Sequence, residues 1–186
     1  MAKTGADKLR GMVTSAAMAA LGLTLPIAFH AVGLGSRFLP MLLPLLLNGF
    51  LSPLPWAVFT GAVVPLVSGV LTGMPPLYPP FAFVMSCEGA VTAGVAAVIY
   101  RMGRRRIWPA LIAAIVCGRT AAFALNWMLA GRFGLSPALV SFAALLQGLP
   151  GVALQLAVVP LVVRALARGK GVLFAHGHEP EARLLQ

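Results

Sequence analysis

Acidic residues are almost missing from this chain. It has 4 Asp and Glu against 14 Lys and Arg, a formal charge of +10. Charged residues of either sign make up only 10% of the 186 positions, where a soluble domain carries about 25%. A small globule could not cover its surface with so few polar side chains, which excludes soluble and disordered classes. Cysteine is nearly absent as well: Cys87 and Cys117 both fall in apolar runs, and no Cys/His spacing outlines a zinc site. No Gly-x-x-x-x-Gly-Lys-Ser/Thr occurs, and Gly169-Lys170-Gly171 lacks both the hydroxyl residue and an upstream strand, so no ATP-hydrolysing site is expected. His-Glu-x-x-His and the filter sequence of potassium channels are missing too.

What is present is apolar sequence. Hydrophobic residues make up 60% of the chain and the mean hydropathy is +0.94, which places the protein in a bilayer. A spanning helix needs about 20 mostly apolar residues. Six segments meet or approach that rule: 9–29, 38–50, 56–72, 80–101, 107–129 and 137–167. The second and third are short and interrupted by Pro40, Pro44 and Pro65, so a four-span count with those two fused is the main competitor.

Charge favours six. With the N-terminus inside, the cytoplasmic segments hold eleven of the fourteen basic residues: Lys3, Lys8, Arg10, Arg101, Arg104, Arg105, Arg106, Arg164, Arg168, Lys170 and Arg183. The outer connections hold only Arg37 and Arg132, as the positive-inside rule requires. The expected fold is therefore an all-α integral membrane protein of six transmembrane helices with both termini cytoplasmic. A single domain is expected over residues 1–169, followed by a polar tail at 170–186. The basic start followed by an apolar run resembles a signal peptide, but that run is long and has no small-x-small cleavage site, so a first span is expected. His176, His178, Glu179 and Glu181 in the tail have no spacing that fixes a metal geometry.

Four polar residues interrupt apolar helices: Glu88, Arg119, Gln147 and Gln155. Ionisable groups inside a membrane are rare and usually functional. At 1.5 Å per residue, Glu88 and Arg119 each lie roughly 12 Å below the outer surface, and Gln147 roughly 15 Å. Three helices thus bring polar groups to one level. Two readings remain open: an ion pair that only locks the bundle, or a polar pocket open to the outside.

Further candidates lie above that level. Asn126 and Trp127 are near the outer end of the fifth helix, where Trp127 suits either stacking on a ligand or an interfacial anchor. The connection at 30–37 carries His30 and Arg37 at its ends, with the turn-forming Gly33 and Gly35 between them. The connection at 72–80 is stiffened by four prolines and carries Met74 and Tyr78. His30 and Arg37 are placed to reach a solute entering from outside, while Met74 and Tyr78 suit a lid over a flat ligand, with an interfacial anchor as the alternative for Tyr78. On the first helix, Ser15 and Ala19 recur four apart, as do Ala16 and Ala20. Such small residues permit close helix approach in lipid, either within the chain or against a partner.

These features resemble the substrate-binding S components of energy-coupling factor (ECF) vitamin transporters. The resemblance runs from Leu9 to Ala167. It rests on Ala16-x-x-x-Ala20, on Gly33-Leu-Gly-Ser-Arg-Phe-Leu-Pro40-Met-Leu-Leu-Pro44, on Asn48-Gly-Phe, and on Pro65-Leu-Val-Ser-Gly-Val-Leu-Thr72-Gly-Met-Pro75. It implies a cell-membrane subunit, not an enzyme, that captures a vitamin or precursor from outside without a cofactor or metal. A T component and two ATPase subunits would be its partners, with no role for nucleic acid. The resemblance places docking on Ser15, Ala16, Ala19 and Ala20. The candidate substrate-binding set is Glu88, Arg119, Gln147, Trp127, Asn126, His30, Arg37 and Tyr78. Signature loops of biotin-, thiamin- and riboflavin-specific members are missing. Pyridine or pyrimidine vitamins, a deazapurine precursor or a folate fragment suit a site with both charges and aromatic rings. Two other classes stay open: an assembly protein whose charges only hold the bundle, and an intramembrane enzyme using Glu88 with His30.

Overall fold

The computed structural model describes residues 5–31, 33, 35–78, 81–103, 105–134 and 136–175, and all described secondary structure is helical. In chain order the helices are α1 (Gly5–Ala31), α2 (Gly35–Phe38), α3 (Leu42–Leu51), α4 (Leu54–Thr72), α5 (Phe81–Met102), α6 (Ile107–Ala130), α7 (Pro137–Gln147) and α8 (Leu149–Ala175), with one 3-10 turn at Gly131–Phe133 after α6. Five stretches are long and apolar enough to cross a membrane; α7 and α8 together make the last of them, over Pro137–Arg168. The chain is a multi-pass membrane bundle. The expected tail is partly helical, since α8 continues to Ala175; the rest, including His176, His178, Glu179 and Glu181, lies outside the described residues.

Two of the six expected segments take a different form. The second is broken into α2, a bend at 39–41 and α3. At 1.5 Å per residue the ten residues of α3 reach only about 15 Å, half a hydrocarbon core. α3 compensates by being interior: Met41, Leu42, Leu45 and Leu46 are at most 2% exposed, enclosed by α1, α4, α5 and α8. The sixth segment is interrupted at Gly148. The Gly148 N–H still makes the ordinary helical bond to the Ala144 carbonyl at 3.2 Å, but Pro150 has no N–H to return to the carbonyl of Leu146, and the ladder stops there. The remaining internal prolines, Pro26, Pro65 and Pro160, stay within continuous helices.

α5 is the spine of the bundle, packing on α3, α4 and α6. Lipid offers little hydrophobic drive for helices to associate, so close backbone approach must supply the contact energy. α5 achieves it with small residues. A Cβ on Gly61 of α4 would lie 2.5 Å from the Gly89 carbonyl oxygen, and one on Gly89 would lie 2.6 Å from that of Gly61. Gly49 of α3 meets the Ala93 carbonyl in the same way. Beyond these crossings, Leu46, Leu47, Phe50, Leu111, Ala114 and Val159 fill the half of the bundle nearer the arginine-rich α5–α6 connection. There Arg101 donates to the carbonyls of Ala97 and Ser52, tying the end of α5 to the α3–α4 junction.

α1 is held on one side only. Gly11 abuts Pro53, Ser15 donates to the Asn48 side chain at 3.0 Å, and Ala19 packs on the Leu45 cluster. Ser15 is 4% exposed, so two of the four expected docking residues, Ser15 and Ala19, are already engaged inside the chain. Ala16 and Ala20 lie on the exposed side.

The Gly61–Gly89 crossing yields a direct test. Gly61→Val should destabilise the bundle by about 1–3 kcal/mol through forced helix separation, read as a lowered Tm in detergent. Gly5→Ala, where nothing lies within 4 Å, should leave Tm unchanged. An equal Tm for both variants would rule out the close crossing.

Candidate functional site

Glu88 lies on the second turn of α5 and Arg119 midway along α6. Opposite charges in a low-dielectric interior must meet or be neutralised, and the backbone lets these meet. Gly118 has no side chain where a Cβ would run into Thr92, so α6 closes on α5 at that level. Arg119 Nη2 then sits 2.8 Å from Glu88 Oε1, with the two side chains only 14% and 6% exposed. The helix break supplies the third part. A Cβ on Gly148 would stand 2.7 Å from Arg119 Nη1, so the bare glycine leaves the guanidinium its place.

Beside the pair opens a cavity of about 480 Å³. It lies at the end of the bundle away from the arginine-rich connection. Glu88, Arg119, Asn126, Gln147 and His30 supply its polar wall. Met41, Met74, Met85 and Phe81 supply much of the rest. Its volume falls within the roughly 300–1,000 Å³ of small-molecule pockets.

The connection after α4 is a fixed wall of this cavity. Ser68 Oγ, almost fully buried, donates to the Met74 carbonyl at 2.6 Å, and Thr72 Oγ1 donates to the same oxygen at 3.2 Å. Gly73 turns the chain with φ +71°, which glycine alone adopts without strain. The Ala82 N–H then closes on the Pro76 carbonyl at 3.1 Å. On the opposite rim, His30 Nδ1 lies 2.7 Å from the Pro26 carbonyl. A carbonyl only accepts, so Nδ1 carries the hydrogen. The ring packs directly on Gly35, where any side chain would collide with it.

Five of the eight expected substrate-binding residues therefore share one cavity: Glu88, Arg119, Gln147, Asn126 and His30. Two lie elsewhere. Trp127 is 47% exposed and stacks on Phe123 with centroids 6.0 Å apart; Phe123 in turn meets Phe142 of α7 edge-on. Tyr78 is 79% exposed and packs edge-on against Phe133 at 5.4 Å. Both aromatic rings stand outside the cavity lining: Trp127 is on an outward-turned face of α6, and Tyr78 projects outward from the connection after α4. The Arg37 side chain is outside the described residues. Gln155 is buried farther along α8, away from the cavity. Met74, singled out with Tyr78, does line the cavity; Met41, Met85, Phe81, Gly118 and Gly148 were not singled out by sequence, and only Gly148, between a glutamine and Leu149-Pro150, carried a local signal of a break.

The cavity offers binding and no evident chemistry. Glu88 is committed to Arg119 and His30 to Pro26, and no hydrogen bond joins Glu88 to His30 among the described residues. Nor do three His, Cys, Asp or Glu side chains gather as a metal set there.

The sequence model of the family described as ECF transporter, substrate-specific component, matches residues 10–163. This chain belongs to that family. It is a multi-pass cell-membrane protein and a substrate-binding transport subunit, not an enzyme. No curated protein and no solved structure matches it.

The ion pair makes its own prediction. Removing one partner strands the other in the interior, at a cost of about 3–5 kcal/mol. Glu88→Ala and Arg119→Ala should each lower Tm in detergent strongly, while Glu88→Leu combined with Arg119→Met should recover most of the loss. Additive losses across this cycle would show that the two charges do not depend on each other.

Proposed function

We propose that this S component captures a small heteroaromatic micronutrient, a vitamin or vitamin precursor, in the Glu88–Arg119 cavity. It then delivers that molecule across the membrane with an ECF T component and two ATPase subunits. The observation that carries the reading is the walled cavity of about 480 Å³ lined by five polar side chains together with three methionines. A flat ring with polar substituents suits such a mixed lining: thioethers adapt to a ring face, and amides and charges read its edge. A bundle that needed the ion pair only as a lock would have no reason to keep a cavity beside it. Energy has to come from outside the chain, because its sequence holds no nucleotide-binding motif.

Docking is assigned to the exposed side of α1. Only 17% of that span is buried within the chain. Ala16 and Ala20 offer a small-residue groove to a partner helix, while Ser15 and Ala19 hold the opposite side to α3.

Two outcomes are expected. Native mass spectrometry of the purified protein, with mild release of bound molecules, should give a stoichiometric heteroaromatic metabolite. A chain that yields none, and that shows no thermal shift across a vitamin panel, would return the pair to a purely structural role. In cells carrying the T and ATPase subunits, Ala16→Leu or Ala20→Leu should cut uptake by about tenfold or more with affinity held within about twofold, because bulk is added only at the partner face. A parallel loss of affinity would point to internal packing instead.

A further inference from the structure

The cavity is lined by one anion and one cation among the described residues, and these two are bonded to each other at 2.8 Å. With imidazole counted as neutral, the lining carries no net charge. An anionic ligand could use Arg119 fully only by drawing it from Glu88, leaving a carboxylate without a partner in a buried setting. A cationic ligand would strand Arg119 in the same way. An unpaired ion in such surroundings is strongly unfavourable. The two amides, by contrast, are uncommitted. Among the described residues the side chains of Asn126 and Gln147 make no hydrogen bond; both line the cavity, Asn126 buried and Gln147 exposed, and each offers donors and an acceptor.

We infer that the ligand of this cavity carries no net charge and is held through an amide-like edge, with hydrogen-bond donors and acceptors side by side. Asn126 and Gln147 read that edge. The Glu88–Arg119 pair adds one free carboxylate oxygen and the remaining guanidinium N–H groups without breaking its own bond. The body of the ligand packs on Met41, Met74, Met85 and Phe81. In this scheme Glu88 acts as a specificity determinant: it quenches Arg119 and so refuses anions. The inference rests on the binding-subunit reading above and specifies its substrate class.

The test uses the purified full chain and three probes on one ring: pyridine-3-carboxamide (neutral), pyridine-3-carboxylate (anionic) and 3-(aminomethyl)pyridine (cationic). Binding is measured by calorimetry up to millimolar probe, and any molecule extracted from the purified protein is identified by its mass and formal charge. The wild-type chain should prefer the carboxamide over either charged probe by about tenfold or more, and the extracted molecule should be net neutral. Glu88→Gln should shift preference toward the carboxylate, and Arg119→Gln toward the aminomethyl compound. Glu88→Gln with Arg119→Gln should restore the neutral order of preference, whatever its absolute affinity. If one single variant does not fold, the other and the double variant still decide the order. A wild-type chain that binds the carboxylate as well as the carboxamide, a charged extracted molecule, or single variants with unchanged order would overturn this inference alone. A purified chain that yields no extracted molecule and binds none of the probes would overturn the binding-subunit reading and this inference with it.

Discussion

Glu88 and Arg119 have to be satisfied inside a bundle that offers them no other charged side chain among the described cavity residues. Much of the local architecture follows from that constraint. α6 must approach α5 closely, which Gly118 permits by leaving room for Thr92. The guanidinium must have a place to lie, which the bare backbone at Gly148 provides. The break at Gly148 and Pro150 in turn lets α7 set Ala144 and Gln147 against the same cavity. Three features that look unrelated in the chain (a glycine before an arginine, a glycine before a proline, a glutamate amid alanines) are parts of one arrangement.

The bundle divides its length between two tasks. Near the arginine-rich connection it is solid, filled by leucines and alanines from α3, α5, α6 and α8. At the other end it is hollow, and Met41 joins the cavity lining to a second, smaller packed cluster around Leu45. The short, enclosed α3 makes this possible. Because it spans only part of the membrane, the space beyond its first turn remains open to the cavity. The connection after α4, bonded by Ser68 and Thr72, walls that space with fixed backbone rather than with a loose loop.

α1 shows how one helix can serve two surfaces. Its Gly11–Ser15–Ala19 stripe is engaged with α3 and the α3–α4 junction, and its Ala16–Ala20 stripe is left outward. The same small-residue spacing is therefore used for internal packing on one stripe. On the other it leaves a smooth surface in the lipid, where close approach of another helix is the main source of association energy.

The bilayer location, the helical class, the number of apolar segments and the level at which Glu88, Arg119 and Gln147 meet were legible in the sequence. Each follows from local composition or from a fixed rise per residue, and neither depends on how the helices face one another. The family followed too, because its resemblance lies in runs such as Gly33–Pro44 that can be read along the chain. Which side of a helix turns inward is a different kind of fact. Trp127 and Tyr78 have the right chemistry and the right height for the cavity, yet they project away from it onto Phe123 and Phe133. Ser15 reads as a docking residue until Asn48 is found beside it. Helical rotation in a membrane is weakly marked in sequence, since lipid-facing and core-facing positions are both apolar. The sequence by itself determined the medium, the spans and the charges that had to be reconciled. Only the tertiary structure decided which faces meet, because close packing between backbones, and not hydrophobic contrast, selects them in lipid.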